Sequence, residues 1–490
     1  MDTRGEAMGI KPLMMLAVTV GVLLAGWGVL LSPPLTSVAN ALGIRKPDDI
    51  RMNVLDDTVV AEICNTNEVL CKSYLARLTM LYHSVFAVLV AMTLYLATAI
   101  VPLKQGYAGP TSVLGTAGYL MVVVGGIGYG YWVEEPFLHG VFIAGLSLLF
   151  ASGLLFVTGM RLRDGKGRID YLSVNIFASA LLLLATSLIG AWIGANEMVG
   201  IGKELRAAKI LAKIDPDLGE EVFVWRAMTA HQHAMVATLG AAIVFTTFKY
   251  LNIDVERKSS KILLAGGLAG QLVMVAACWA VWPYGKTAHL LITPAAVGLI
   301  FFTALIAIFE AKKIAEKLKA GTRLADMLTH LSLYSLVVWV WPSVAIPGAV
   351  VAMSLRKPVI LRPEFRNPVW NWAENAYNIG HWHVLLMLYA SALFIVYMDV
   401  LGRGRLASYL ATLTSAVAII VSTAINFYMI PRSPAQYVPN PYNDPVLTYV
   451  VEPFLVLLSF CVAAGFIYML TSQLRVYRTA AVTLQTGVKF

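Results

Sequence analysis

Apolar residues follow one another along this chain in unbroken runs of about 20, the length that crosses a hydrocarbon core of roughly 30 Å as an α-helix. In lipid such runs must be helical, because every backbone N–H and C=O needs a partner inside the segment. The pattern predicts twelve spans, near 12–32, 80–103, 112–132, 138–160, 172–195, 227–248, 261–283, 288–309, 330–353, 380–400, 408–430 and 448–471. The expected fold is an all-α polytopic membrane protein, with residues 1–490 forming a single membrane domain. Ala39-Asn40-Ala41, just after the first span, has the form of a signal-peptidase site. The first span is read as retained, because its loss would spoil the repeat described below.

Composition agrees. The chain is 58% hydrophobic and only 13% charged, too few charges to clothe a water-soluble protein of 490 residues. The formal net charge of +9 follows from topology. Short loops on one side hold Arg161, Arg163, Lys166 and Arg168, and again Lys312, Lys313, Lys317, Lys319 and Arg323. The positive-inside rule makes that side cytoplasmic and, with an even number of spans, puts both termini there. The expected location is the cell membrane; no nucleic-acid partner is implied. Segment 33–79 becomes an external loop, where Cys64 and Cys71 have the redox environment for a local disulfide. Cys278 and Cys461 fall inside spans as small apolar fillers.

The connections repeat. Long external segments (33–79, 196–226, 354–379) follow spans 1, 5 and 9, and each leads into a span that opens on histidine. The openings are Arg77-Leu-Thr-Met-Leu-Tyr-His83, Arg226-Ala-Met-Thr-Ala-His231-Gln-His233 and Asn378-Ile-Gly-His381-Trp-His383. Glu135-Pro-Phe-Leu and Glu452-Pro-Phe-Leu open two further spans alike. The twelve spans thus divide into three pseudo-symmetric four-helix units.

Histidine carries the candidate chemistry. Of eight histidines, seven lie near the external ends of spans: His83, His139, His231, His233, His289, His381 and His383. His330 is the exception. Ionisable groups at membrane depth are costly and mark sites, and imidazole is a standard ligand for haem iron and transition metals. Residues i and i+2 of a helix lie about 200° apart, so a His-x-His pair can serve two cofactors on opposite sides of one helix. That reading applies to His381 with His383 and to His231 with His233. His83 takes the corresponding place in the first unit, and His289 is a weaker metal candidate. The competing reading for any one of them is a hydrogen-bonded interior residue, which is how His330 is taken. No C-x-x-C-H occurs, so the chain attaches no c-type haem of its own.

On these motifs the sequence resembles the catalytic subunit of the haem–copper oxidase superfamily, most nearly its nitric oxide reductase branch. The likeness rests on Arg77 to His83, with Tyr95 and Val101-Pro102 closing that span, and on Gly380-His-Trp-His-Val-Leu-Leu-Met-Leu-Tyr389-Ala. The resemblance implies two haems, b-type or related. His83 and His383 would hold a low-spin haem, and His381 a high-spin one. It further implies a separate electron donor (a cytochrome, cupredoxin or quinol) and other membrane or external subunits. The chain departs from the family at the second metal. Where the family carries Trp-Ala-His-His, this sequence reads Trp279-Ala-Val281-Trp282. Span 6 offers His231 or His233 but neither the reductase's glutamate nor the oxidase's crosslinking tyrosine. An ordinary three-histidine copper or iron site is therefore not expected. Three functions remain open: a membrane haem oxidoreductase reducing a small molecule such as O₂ or NO, a multihaem electron-transfer subunit, and a transporter.

Overall fold

A computed structural model describes residues 3–30, 68–133, 135–198, 223–252, 258–324, 327–350, 368–402, 404–429 and 447–486. Those residues form twelve α-helices: α1 (Thr3–Leu30), α2 (Glu68–Ile100), α3 (Ala108–Ile127), α4 (Pro136–Gly159), α5 (Tyr171–Met198), α6 (Phe223–Tyr250), α7 (Lys258–Tyr284), α8 (Lys286–Lys319), α9 (Leu328–Val350), α10 (Pro368–Leu401), α11 (Arg405–Met429) and α12 (Glu452–Thr486). Short π-helical turns follow α3 (Gly128–Trp132) and precede α12 (Leu447–Val451). No strand occurs among the described residues, only two isolated bridges at the basic loop, Leu103 with Met160 and Arg163 with Ile169.

Ten of the helices are long and apolar enough to cross a membrane. The polytopic, all-helical class expected from the sequence is therefore what the chain builds. The two helices outside this set are α6 and α9, whose apolar stretch among described residues is Leu328–Val340. For α6 the reason is physical. It carries Arg226, His231, Gln232, His233 and Lys249, and from Val236 to Phe248 every residue is buried against protein. A helix surrounded by other helices needs no apolar face toward lipid.

Each helix packs on its neighbours in chain order, and α12 returns to α1, closing a ring. Inside it, α2, α6 and α10 touch one another pairwise. Contacts between alternate helices recur as α1 with α3, α5 with α7 and α9 with α11. Burial follows this plan: the His383–Leu401 stretch of α10 is 72% buried, whereas Pro136–Gly159 of α4 is 22% buried. The exposed residues of the outer helices, such as Phe137, Leu154, Phe460 and Ile467, are those expected of a lipid-facing surface.

Some of the polar side chains inside the bundle bond across helices. Tyr397 of α10 donates its hydroxyl to Met92 O of α2 at 2.6 Å. Between α5 and α7, Ser179 Oγ donates to Gln271 Oε1 (2.6 Å), and Gln271 Nε2 donates to Asn175 Oδ1 (2.8 Å). Such closed networks satisfy groups that would otherwise be orphaned in a low-dielectric interior. Cys278 and Cys461 are buried free thiols, the filler role expected of them.

Several boundaries differ from the sequence reading: α1 begins at Thr3, α8 runs on to Lys319 and α12 to Thr486. The 33–79 loop is helical from Glu68 onward, and the 354–379 segment from Pro368. Hydropathy marks only the part of a helix that lipid covers; intrahelical hydrogen bonds continue past it. Cys64 and residues 33–67 lie outside the described residues, as do 199–222, 351–367 and the side chains of Cys71 and Arg77.

A candidate site of paired histidines

The three central helices bring their histidines to one end of the bundle, opposite the basic loops. On α2, His83 Nδ1–H donates to Thr79 O, one turn earlier, at 2.7 Å. On α6, His233 Nδ1–H donates to Thr229 O in the same way, at 2.9 Å. His231 bonds across helices: its Nδ1–H donates to Thr186 O of α5 at 3.0 Å. A carbonyl can only accept, so the proton in each of these rings sits on Nδ1. In a neutral ring Nε2 is then the bare acceptor. Metal-ligating histidines show this same arrangement, with the second ring nitrogen donating to a carbonyl.

His231 and His233 leave α6 toward different neighbours. The His231 ring lies against Gly190 of α5, where a Cβ would come within 2.5 Å of its Cε1, so only glycine leaves it room. His231 is also within electrostatic range of His83 of α2. His233 lies instead within electrostatic range of His381 of α10. His381 is the one histidine here whose buried Nδ1 has no hydrogen-bond partner among the described residues. An orphaned buried polar atom costs about 1–3 kcal/mol unless something satisfies it.

His83 is braced by Phe142 of α4, ring centroids 5.7 Å apart and edge to face. Phe142 comes that close because α3 and α4 pack at glycine: a Cβ on Gly125 would meet Phe142 N at 2.5 Å. His139 packs between Tyr129 (5.2 Å) and Phe142 (6.3 Å). His383 is exposed, its ring 6.3 Å from that of Tyr82. Tyr82 of α2 thus lies beside His383, one position and about 100° around the helix from His83.

His330 sits at the other end of the bundle, within electrostatic range of Asp399 and Lys317. Val281, where the resemblance would place a second-metal histidine, is a buried core residue 3% exposed, and Trp282 stacks on Trp192 at 5.0 Å. The His289 side chain lies outside the described residues. Among the described residues, no three His, Cys, Asp or Glu side chains come together as a metal cluster.

The structure therefore associates His83 with His231 and His233 with His381, and seats His383 on Tyr82. Sequence reasoning missed Phe142, Thr186 and Gly190. The shared Thr79-to-His83 and Thr229-to-His233 spacing was visible in the chain, but the residues that α4 and α5 contribute come from far away in sequence. Comparisons with families of known proteins, with curated proteins and with solved structures find no match to this chain.

Proposed function

We propose that this protein is the haem-binding subunit of a membrane oxidoreductase, lying in the cell membrane with both termini cytoplasmic. The observation that carries the reading is His381 of α10, its buried Nδ1 orphaned, set within range of His233 of α6. Two imidazoles from two buried helices suit a haem iron, which brings four nitrogen ligands and asks the protein for no more than two. Bound there, haem would supply one-electron chemistry and, with an open position, reduction of a small molecule such as O₂ or NO.

The protein's own part is then distinct. His381 would hold the iron, the Thr229 carbonyl fixes the proton of His233 on Nδ1, and the surrounding apolar helices exclude water. Electrons come from a separate donor (a cytochrome, cupredoxin or quinol) at the histidine end, with other membrane or external subunits as partners. Supporting the wider reading are the ring of twelve helices, the central contact of α2, α6 and α10, and the recurring alternate-helix contacts. They are what three four-helix units, twelve spans in all, would produce.

A second reading draws on the same pair. If His233 and His381 both held the iron, the haem would carry electrons and bind no substrate. Reduced-minus-oxidised spectra of the purified protein, with and without CO, separate the two. A CO adduct that disappears in His381→Ala supports the oxidoreductase. Haem that refuses CO until His233→Ala opens it supports the electron carrier, and a preparation without haem contradicts both.

A further inference from the structure

Helices α7 and α8 stand side by side, antiparallel and in close contact. A Cβ on Gly266 of α7 would meet the Phe302 ring of α8 at 2.3 Å, and one on Gly270 would meet Leu299 Cα at 3.2 Å. Those two contacts set the register of the pair. From Gly266, eight residues toward the basic loops lead to Lys258, the first residue of α7. The same step from Phe302 leads to position 310 of α8, two short of Lys312. The two lysines are thus level to within about 3 Å of helix rise.

Each lysine closes a lipid-facing stripe. Ile262 and Val273 of α7 are exposed and, eleven residues apart, share one face; exposed Lys258 lies a turn before Ile262. Phe301 and Ile308 of α8 are exposed and share a face, and exposed Lys312 lies a turn after Ile308. With 27 residues, α7 is about 40 Å long against a hydrocarbon core of roughly 30 Å, so its first turn stands among headgroups. Lys312 also leans toward α7. Its Nζ lies 5.8 Å from the centre of the Phe309 ring, and Phe309 sits two turns from Phe302, on the side of α8 that meets Gly266.

We infer that the crevice between α7 and α8 at this end holds an anionic phospholipid, its phosphate between Lys258 and Lys312. The acyl chains would lie along the two exposed apolar stripes. Paired ammonium groups select a negative headgroup, and the apolar stripes that begin one turn away select a lipid over a soluble anion. The α4–α5 loop is basic too, but its cations are committed within the loop: Arg163 Nη1 donates to Gly167 O and Arg168 Nε to Asp164 Oδ2, both at 2.9 Å. The inference stands apart from haem and needs only that α7 and α8 cross the bilayer.

The test is native mass spectrometry of the full-length protein in detergent, titrated with phosphatidylglycerol and with phosphatidylcholine of the same chains. Wild type should prefer phosphatidylglycerol, and Lys258→Gln combined with Lys312→Gln should weaken that binding by about five-fold per lysine. Arg161→Gln combined with Lys166→Gln removes equal charge from the α4–α5 loop and should leave it unchanged. Equal weakening by both pairs, or a wild type indifferent to the headgroup, would overturn the inference. So would displacement of the lipid by inorganic phosphate at comparable concentration, which would make the crevice an anion site with no use for acyl chains. Lys258→Arg combined with Lys312→Arg keeps the charge and should keep the binding; its loss in protein that elutes as folded counts against the assignment. A photoactivatable phosphatidylglycerol tests the wild type without any variant. Its crosslinks should fall on α7 and α8, and crosslinks confined to other helices would contradict the site.

Discussion

The two ends of the bundle treat their titratable groups in opposite ways. At the basic end, opposite signs meet. Asp170 pairs with Lys249 and accepts from Ser173 Oγ at 2.7 Å, Tyr250 donates to Asp399, and Asp164 accepts from Arg168 Nε at 2.9 Å. At the histidine end imidazoles gather: His83 is within electrostatic range of His231, and His233 of His381. A pair of opposite charges explains itself by its attraction. A gathering of imidazoles, one of them with an orphaned buried Nδ1, has no such attraction behind it.

That contrast can be broken by mutation, starting with the largest effect. His381→Ala should remove the haem it anchors, read as a fall in haem per protein, and leave the elution profile of a folded membrane protein. Collapse of the fold instead would make His381 a structural residue like those of the basic end. Next, Lys249→Met should leave the nearly buried Asp170 without its partner and cost on the order of 2 kcal/mol of stability, with haem spectra unchanged. A spectral change would show that the two ends are coupled. Gly190→Ala should force the His231 ring to move, costing roughly 1–3 kcal/mol, while any haem at His381 keeps its spectrum. Thr186→Val removes only the hydrogen bond from Trp279, because His231 uses the backbone carbonyl. About 1 kcal/mol should be lost without a spectral shift.

The smallest effect concerns pH. Burial raises the Asp170 carboxyl pKa, but the bonds from Lys249 and Ser173 outweigh it and hold it below its ordinary value. A depressed folded-state pKa contributes stability above the unfolded value of about 4, and that stability is lost as pH falls through the folded value. Thermal melts below about pH 4 should therefore destabilise the wild type more than Asp170→Asn, whose amide does not titrate. Equal acid sensitivity of the two would remove Asp170 from the account.

Much of this could be read in the chain because lipid imposes simple rules. Runs of apolar residues located the outer helices well, since those helices must show lipid an apolar face. The sequence reading also located α6, at 227–248 against Phe223–Tyr250, although His231, Gln232, His233 and Lys249 lower its hydropathy and its burial removes the need for an apolar surface. The His-x-His spacing correctly implied that α6 sends its two rings to different neighbours, because 200° of rotation is fixed by helix geometry. Which neighbour each ring meets was not legible. That depends on how α2 is rotated, which the sequence does not state. Gly190 and Phe142 carry no local signal at all; their roles exist only once α4 and α5 are packed beside the central helices.

The most direct measurement is haem content of the wild type, determined as the pyridine haemochrome against protein concentration, beside a variant with His83, His231, His233 and His381 all changed to alanine. The account predicts non-covalent haem in the wild type, with none in a quadruple variant that still elutes as folded protein. Equal haem in the two, or no haem in a well-folded wild type, would contradict it.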